Sequence, residues 1–428
     1  MKTNFCGKGG NMLMKTILNH VEKHKSFTYG KTFIEPGADG EMLIFEVRHR
    51  RNSKGLCPQC QKQCPGYDTQ PARDYQFVPL WGMPSLLRYA PRRVSCKEHG
   101  IHVELLPFAT GKETLTKTYQ AFLATWAKRL SWKEAAMVFK TTWESVYRSV
   151  KYIVNYGLEH RNWDDIKQLG VDEIAVFKGH NYLTCVYQLD LGSRRLLWCG
   201  KDRKTKTLLR FFHEFGKERC AKIEFVCTDM WAPFLKVVKK KCINALNILD
   251  RFHIMKKFGV AVDEVRREEV KKLHADKQEN VLAKGRWILL KRPENLTDKQ
   301  TCRLKELVKA NLDSVKAYLM KEDFQRFWKY VSPYWADKFL EDWATRAMHS
   351  KLEPIKKVAK MLRSHKLLIL NWFRAKGTLS SGPVEGLNTK AKLTIRKAYG
   401  FRTLGCLQIA LYHQLGRLEE PPGTHRFC

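Results

Sequence analysis

LGVDEIAVF, residues 169–177, is the stretch on which the fold turns. It reads as a β-strand in which Asp172 shares a face with Ile174 and Val176, although Asp is depleted in strands and costly to bury unpaired. An edge strand facing solvent is the ordinary explanation; a cation site is the other. Outward from it, YLTCVYQLDL (182–191) and RRLLWCG (194–200) are bounded by Gly, Asn and Ser and predict a three-stranded antiparallel meander. A helix over KTLLRFFHEFGKE (206–218) follows, with Leu208, Leu209, Phe211, Phe212 and Phe215 on its apolar side. The strand IEFVCTD (223–229), a helix through FLKVVKKKC (234–242) and the strand ALNILDRFH (245–253) complete the series. That order predicts an α/β fold, a mixed sheet with helices on its faces.

Two further acids belong with Asp172. Asp229 ends the run IEFVCTD ahead of a helix with Pro233 in its first turn, where an N-capping role is the plain reading. Glu385 stands in the first turn of a helix predicted to begin at Ser381, Gly382 and Pro383, where the helix dipole favours a carboxylate whatever its function. Along SGPVEGLNTKAKLTIRKAYGF (381–401), Val384, Leu387, Ala391, Thr394, Ile395 and Ala398 form an apolar stripe. Glu385, Asn388, Thr389, Lys392 and Arg396 form an adjacent one. Taken together, two acids on one sheet and a third heading a basic-faced helix suggest a carboxylate cluster holding Mg²⁺ or Mn²⁺, hard cations that prefer oxygen ligands. Asp250 and His253 in DRFHIMKK, with Asn388 and Lys392, are secondary candidates; a structural role for His253 is as well supported as a catalytic one. Lys390, Lys397 and Arg402 add charge suited to phosphates, and Arg396 is a further DNA-contact candidate, although a basic face is often merely solvated.

The flanking regions divide the chain further. Residues 1–50 predict a polar leader and short strands around the turn PGADG, and 51–110 are rich in Cys, Pro, Gly and Arg, as expected of a small metal-stapled module. Cys57-Pro-Gln-Cys60 and Cys96-Lys-Glu-His99 each present two ligands from a tight turn, a set suited to Zn²⁺, with Cys64 and His102 as alternative ligands. Arg88, Arg92 and Arg93 lie just ahead of Cys96, placed to grip a DNA backbone. Residues 111–162 predict a helix-turn-helix, whose second helix offers Trp143, Glu144, Ser145, Arg148 and Lys151 to a major groove. The first part of the sheet domain is assigned to 163–258, an all-α insertion to 259–375, and the last part of the sheet domain, with Glu385, to 376–428.

With 428 residues and 44% hydrophobic composition, the chain has ample material for packed cores. Its 78 Lys and Arg against 43 Asp and Glu leave a net charge of +35, which points to a polyanion, nucleic acid rather than membrane. No apolar run is long enough to span a bilayer, and the start lacks a signal-peptide core, so a cytoplasmic, nucleoid-associated protein is expected. Thirteen scattered cysteines fit a reducing compartment.

The order of parts resembles the bacterial insertion-sequence transposases of the ISL3 group, which carry an Asp, Asp, Glu triad. The likeness is borne by CPQC with RRVSCKEHG, the helix-turn-helix, GVDEIA, VCTDMW, LDRFHIMKK and GPVEGLNTKAKLTIRKAYGFR, and runs over roughly residues 45–412. It implies a ribonuclease H-like catalytic fold. Asp172, Asp229 and Glu385 would be the metal-binding acids, Cys57, Cys60, Cys96 and His99 the zinc ligands, and Asp250 and His253 a D-x-x-H signature. It further implies binding to the terminal inverted repeats of an element, Mg-dependent cleavage and strand transfer into target DNA by a homo-oligomer, with no small-molecule substrate. A sequence-specific regulator with an inactive sheet domain, and an RNA nuclease on the same fold, are the competing readings.

Overall fold

Strand Gln168–Phe177 occupies the centre of a five-stranded sheet, not its edge. The computed structural model describes residues 13–37, 40–111, 113–177, 181–275, 277, 282, 285–309, 312–375 and 382–422. By internal contacts the chain forms two units, Asn162–Leu393, and Met1–Arg161 with Thr394–Cys428.

In the unit Asn162–Leu393, the central strand pairs antiparallel with Asn181–Gln188, which pairs antiparallel with Arg195–Lys201. On its other side it runs parallel to Phe225–Thr228, which runs parallel to Leu246–Leu249. The sheet is therefore mixed, with the meander on one side and a parallel pair on the other. Short alternating runs flanked by turn residues make the first three strands; the parallel pair is linked through helix Ala232–Lys241, as a parallel connection requires. Helix Thr205–Phe215 packs Leu208, Phe211, Phe212 and Phe215 with Trp163 and Trp198. It stops at Gly216, whose φ of 89° is open to glycine at little cost, so the predicted single helix becomes two, the second being Lys217–Ala221.

Helix Arg251–Ala275 starts directly after the last strand, so the boundary expected at 258/259 falls inside one continuous helix. Its Phe258 joins Phe324, Phe327 and Trp343 in a fully buried aromatic cluster that anchors the helices up to Arg374. Glu269 accepts the backbone N–H groups of Asp313 and Ser314 at 2.7 and 2.9 Å and so satisfies the start of helix Asp313–Gln325, which has no cap of its own. Asn371 in the last of these helices donates to the carbonyl of Asn247 at 2.8 Å, tying the helical part back to the sheet.

In the other unit, strands Phe27–Gly37, Gly40–His49, Met83–Tyr89 and Arg73–Leu80 form one sheet in that order. Gly40–His49 pairs parallel with Met83–Tyr89, so 1–50 and 51–110 are not separate pieces, and Phe45, Phe77, Leu87 and Phe108 supply the core that the Cys-rich stretch was expected to lack. The tip of the turn PGADG lies outside the described residues. A helix, Met14–Val21, stands where a polar leader was expected. The cysteine turns sit on two small sheets, Gly55–Leu56 with Gln63–Cys64, and Gly66–Thr69, Arg92–Cys96 and Gly100–Val103.

Helices Lys117–Ala127, Trp132–Val138 and Trp143–Glu159 follow. Ser131 and Glu134 form a reciprocal capping box on the second, and Thr142 caps the third through the Ser145 N–H. Helix Leu404–Leu415 packs against Trp143–Glu159, burying Leu407, Ala410, Leu411 and Leu415. The tail from Thr394 therefore belongs with this unit by its apolar contacts, not with the sheet domain to which 376–428 was assigned.

Candidate active site and metal centre

Val171 is in register with Thr228 across one parallel pairing, and Thr228 with Leu249 across the next. The residues one step on, Asp172, Asp229 and Asp250, therefore line up across three adjacent strands, Asp229 and Asp250 just past the C-terminal ends of theirs and Asp172 midway along the longer central strand, beside the edge where open α/β sheets place their chemistry. Asp172 is half-buried on the central strand, opposite Cys185, which excludes the solvent-facing edge reading. Its Oδ1 accepts the Glu173 N–H at 2.8 Å and its Oδ2 accepts Nδ2–H of Asn388 at 2.5 Å. Burial pushes its carboxyl up and the charge of Asp229 adds to this, against the Glu173 N–H, His253 and Asn388. Asp229 Oδ1 accepts the Trp231 N–H at 2.9 Å in an Asx-type turn, while the cap position of the next helix is taken by Trp231 without a side-chain bond. Helix capping therefore does not account for Asp229. Asp250 is buried, with Oδ1 accepting the Phe252 N–H at 2.7 Å and Oδ2 4.0 Å from His253 Nε2.

Helix Gly382–Lys397 carries the third acid; the Ser381 start signal falls outside the described residues. Asn388 is 8% exposed and belongs with the buried face, not with the solvent-facing stripe expected for it. Tyr187 Oη donates to its Oδ1 at 2.7 Å while its Nδ2 reaches Asp172, so Tyr187, Asn388 and Asp172 form one chain that fixes the helix to the sheet. Glu385, exposed, stands one turn before Asn388 on the same side. Among the described residues, the ligand oxygens of Asp172, Asp229 and Glu385 do not all come within 4.8 Å of one another. Lys392 is exposed two turns beyond Glu385.

Gly170 sets how closely this helix approaches. A Cβ there would stand 2.7 Å from a Val384 methyl and 3.1 Å from Leu189. Gly170→Ala is therefore expected to cost about 1–3 kcal/mol of stability and to shift the start of helix Gly382–Lys397, with the cluster of Cys57, Cys60, Cys96 and His99 left as it is. Denaturant unfolding checks it.

Sequence reading passed over Glu173, because strand alternation sends it away from Asp172. The available signal was a second acid adjoining the first in an apolar strand. Burial pushes its carboxyl up to about 7, with Asp229 and Asp172 adding to the rise and Arg203 opposing it. Arg203 Nη1 lies 3.5 Å from Glu173, and its guanidinium lies 4.1 Å from the centre of the Trp231 ring and 5.1 Å from that of Tyr182. Since the folded value lies above the ordinary 4.5, the folded chain holds a proton that the unfolded chain has released. Stability without divalent cation should therefore fall as pH rises from about 4.5 to about 7 and stay reduced above that. Glu173→Gln is expected to recover about 3 kcal/mol at most at pH 8 and almost nothing at pH 4, read by urea unfolding in chelator.

In the other unit, Cys57, Cys60, Cys96 and His99 place one ligand atom each within 4.8 Å of all the others. Cys60 Sγ and Cys96 Sγ are 3.7 Å apart; His99 Nδ1 is 3.8 Å from Cys57 Sγ and 3.5 Å from Cys96 Sγ. Ligands at about 2.3 Å from a tetrahedral zinc stand about 3.8 Å from each other, so the donor set fits that ion. Backbone N–H of Glu98 leads the influences that bring the Cys96 thiol down to about 7, towards the thiolate a metal needs. The alternatives are used elsewhere: Cys64 Sγ lies 3.5 Å from the Lys62 carbonyl, and His102 Nε2 lies 2.6 Å from the His99 carbonyl.

Several expected DNA contacts have other work. Arg92 is bound to Glu104 at 2.7 Å and to the Ser53 carbonyl at 2.8 Å; Arg93 is paired with Asp68 and Arg88 with both Glu35 and Asp74. Four carboxylate partners thus claim the charge that was expected for phosphates. Ser145 is buried, its N–H and hydroxyl both engaged with the Thr142 side chain. Lys397 is half-buried and donates to the Lys128 carbonyl at 3.3 Å. Trp143, Lys151, Arg396 and Arg148 are exposed, Arg148 with a 3.3 Å pairing to Glu113.

The sequence has counterparts among known proteins. A family profile described as transposase, of the DDE type and ISL3 group, matches residues 169–411. The chain is 27% identical over 350 residues to the transposase for insertion sequence element IS1001 of Bordetella parapertussis, covering 81% of this chain and 85% of that protein. It is 25% identical over 426 residues to the transposase for insertion sequence element IS1557 of Mycobacterium tuberculosis, covering 91% and 93%. The matched span takes in Asp172, Asp229, Glu385 and the whole five-stranded sheet, and by it the chain belongs to the ISL3 family of DDE transposases, enzymes that cleave DNA and transfer its strands.

Proposed function

We propose that this chain binds the terminal inverted repeats of its own insertion sequence, cuts phosphodiester bonds there with Mg²⁺ or Mn²⁺, and joins the freed 3′ ends to target DNA. The observation that carries the reading is the alignment of Asp172, midway along the central strand, with Asp229 at the end of the neighbouring one, and Asn388 tethering the Glu385 helix to Asp172. The strand order, an antiparallel meander beside a parallel pair, supports a ribonuclease H-like reading of the sheet. Asp172, Asp229 and Glu385 would hold the divalent cations, which supply charge stabilisation at the scissile phosphate and activate the attacking oxygen. Asp172 is braced from both oxygens, so its carboxylate is pre-aimed, whereas Glu385 is free to close on substrate. His253 and Asp250 lie beside this row, placed to orient a phosphate or water, and Lys392 projects from the Glu385 helix as a phosphate contact.

The cysteine turns with His99 would hold Zn²⁺, and helix Trp143–Glu159 would enter the major groove through Trp143, Arg148 and Lys151. The net charge of +35 adds salt-sensitive affinity for DNA backbone. Pairing two element ends requires a homo-oligomer on DNA; light scattering of the end-bound complex giving one protomer per pair of ends would refute that. No helix among the described residues is long and apolar enough to cross a membrane; as a protein acting on DNA, the chain would work in the cytoplasm at the nucleoid.

The test is incubation of a DNA fragment carrying the flanks of the gene with protein and Mg²⁺. Cuts at the tips of inverted repeats, followed by joined products, are expected. Specific binding with no cutting under Mg²⁺ or Mn²⁺ would favour a regulator with an inactive sheet domain, and cleavage confined to RNA or hybrid duplexes would favour a nuclease.

A further inference from the structure

A cavity of about 640 Å³ opens between helices Trp132–Val138 and Leu404–Leu415 and the turn that follows Lys397, within the unit that carries the cysteine cluster. Its walls are unusually aromatic for a surface hollow. Trp132 meets Phe401 edge-on at 5.5 Å and Tyr147 at 5.2 Å, and Trp143 and Tyr399 stand exposed at the rim. Lys133, Lys397 and Arg402 also line it.

Two details go beyond a greasy, charged hollow. His413 lines the cavity, is 7% exposed, and its Nε2 has no hydrogen-bond partner. Burial first, then Lys128 and Lys397, bring its imidazole down to about 3, so this part of the wall stays uncharged, with Nε2 sealed from solvent. Tyr399 ends the Glu385 helix in a Schellman arrangement: its N–H reaches the Arg396 carbonyl at 3.0 Å, and the Gly400 N–H reaches the Ile395 carbonyl at 3.2 Å. The residue at its position is ordinarily glycine, because φ is positive there; here a tyrosine at φ 53° holds a ring that is 99% exposed at the cavity rim. A strained backbone carrying a fully exposed aromatic is a stability cost without a folded-state return in this chain.

We propose that this cavity receives a single nucleobase turned out of the DNA helix, stacked against Tyr399 and the Trp132–Phe401 pair, with Lys133 and Arg402 holding the flanking phosphates. Every base has a π-face, and an extruded base needs stacking surfaces flanked by cations, which this cavity combines. A second copy of the chain is the weaker occupant, since like-charged Lys133, Lys397 and Arg402 would meet a surface of the same sign. The proposal rests on the DNA-binding reading above, and its test separates the two.

Full-length protein is titrated at one salt concentration with two duplexes that share a top strand carrying one 2-aminopurine, the bottom strand either pairing it with thymine or lacking that nucleotide so that it is left as a bulge. The expected result is roughly tenfold tighter binding of the bulged duplex, with its fluorescence quenched on binding. Tyr399→Gly relieves the positive φ, so it is expected to keep or raise the melting temperature, leave paired-duplex affinity unchanged, and bring the bulge preference close to one. Equal affinity of the wild type for both duplexes, or a preference that survives Tyr399→Gly, would overturn the proposal. A change in sedimentation of Tyr399→Gly with the preference intact would overturn it in favour of a protein-docking surface. Failure to bind the paired duplex at all would remove the DNA-binding reading, and this proposal with it.

Discussion

Asp172→Asn is expected to lower the rate of cleavage at element ends by at least about 10³-fold, equivalent to about 4 kcal/mol of transition-state stabilisation, while affinity for the same DNA changes little. The substitution keeps the size of the side chain and leaves an oxygen for the Glu173 N–H, while the Asn388 amide has to turn over to accept from the new NH2, with the Tyr187 hydroxyl then accepting from it. It removes the charge that the row of aspartates and the tethered helix are arranged around. Asp229→Ala and Glu385→Gln should give losses of the same order, and the double variants should lose little more, because residues that act as one unit are far from additive. Asn388→Ala is the informative contrast. It touches no metal in this account but removes the link between Tyr187, Asp172 and the Glu385 helix, so a partial loss, restored in part by Asn388→Gln, is expected. Cleavage persisting in Asp172→Asn at the wild-type rate would remove the acid cluster from the chemistry.

Loss of the zinc ligands should have the other large effect, on stability. Cys57, Cys96 and their neighbours form a cluster of buried sulfurs around Val94 with little apolar surface of its own. Structural zinc binding is worth on the order of 10 kcal/mol in small modules, far more than such a cluster can supply. Cys96→Ser is therefore expected to reduce zinc from one per chain to none and to unfold the turns 57–60 and 96–99. Specific DNA binding should fall, while the sheet of the other unit keeps its melting transition. Elemental analysis and hydrogen exchange across the two units check this. Zinc content unchanged in Cys96→Ser would assign the metal to other ligands, with Cys64 and His102 the nearest by sequence.

What was legible in the sequence follows the range of the forces involved. The meander around Asp172 and the two ligand-bearing turns are local patterns, written in alternation and close spacing, and the structure has them where those patterns lie. The pairing of Gly40–His49 with Met83–Tyr89 and the docking of Leu404–Leu415 on Trp143–Glu159 join segments remote in sequence, and composition misled there. A Cys-, Pro- and Arg-rich stretch looked coreless because the strands that complete its core lie before it. The arginines fared likewise: Arg88, Arg92 and Arg93 carry a DNA-binding signature in sequence, but their carboxylate partners Glu35, Glu104 and Asp68 become visible only once the strands are paired. Asn388 was singled out for the right helix and the wrong face, since one hydrogen-bonded chain through Tyr187 outweighs its place on the polar stripe. Glu173 was missed because alternation alone separates it from Asp172, whereas Arg203 and Trp231 gather it towards Asp229.

The central claim is that Asp172, Asp229 and Glu385 close around divalent cations when DNA is present. Electron paramagnetic resonance of Mn²⁺ bound to the full-length protein, with and without DNA carrying the element ends, measures this directly. The predicted result is DNA-dependent Mn²⁺ binding at the wild-type chain that is lost in Asp172→Asn and weakened in Glu385→Gln. Mn²⁺ binding that is indifferent to both substitutions would contradict it.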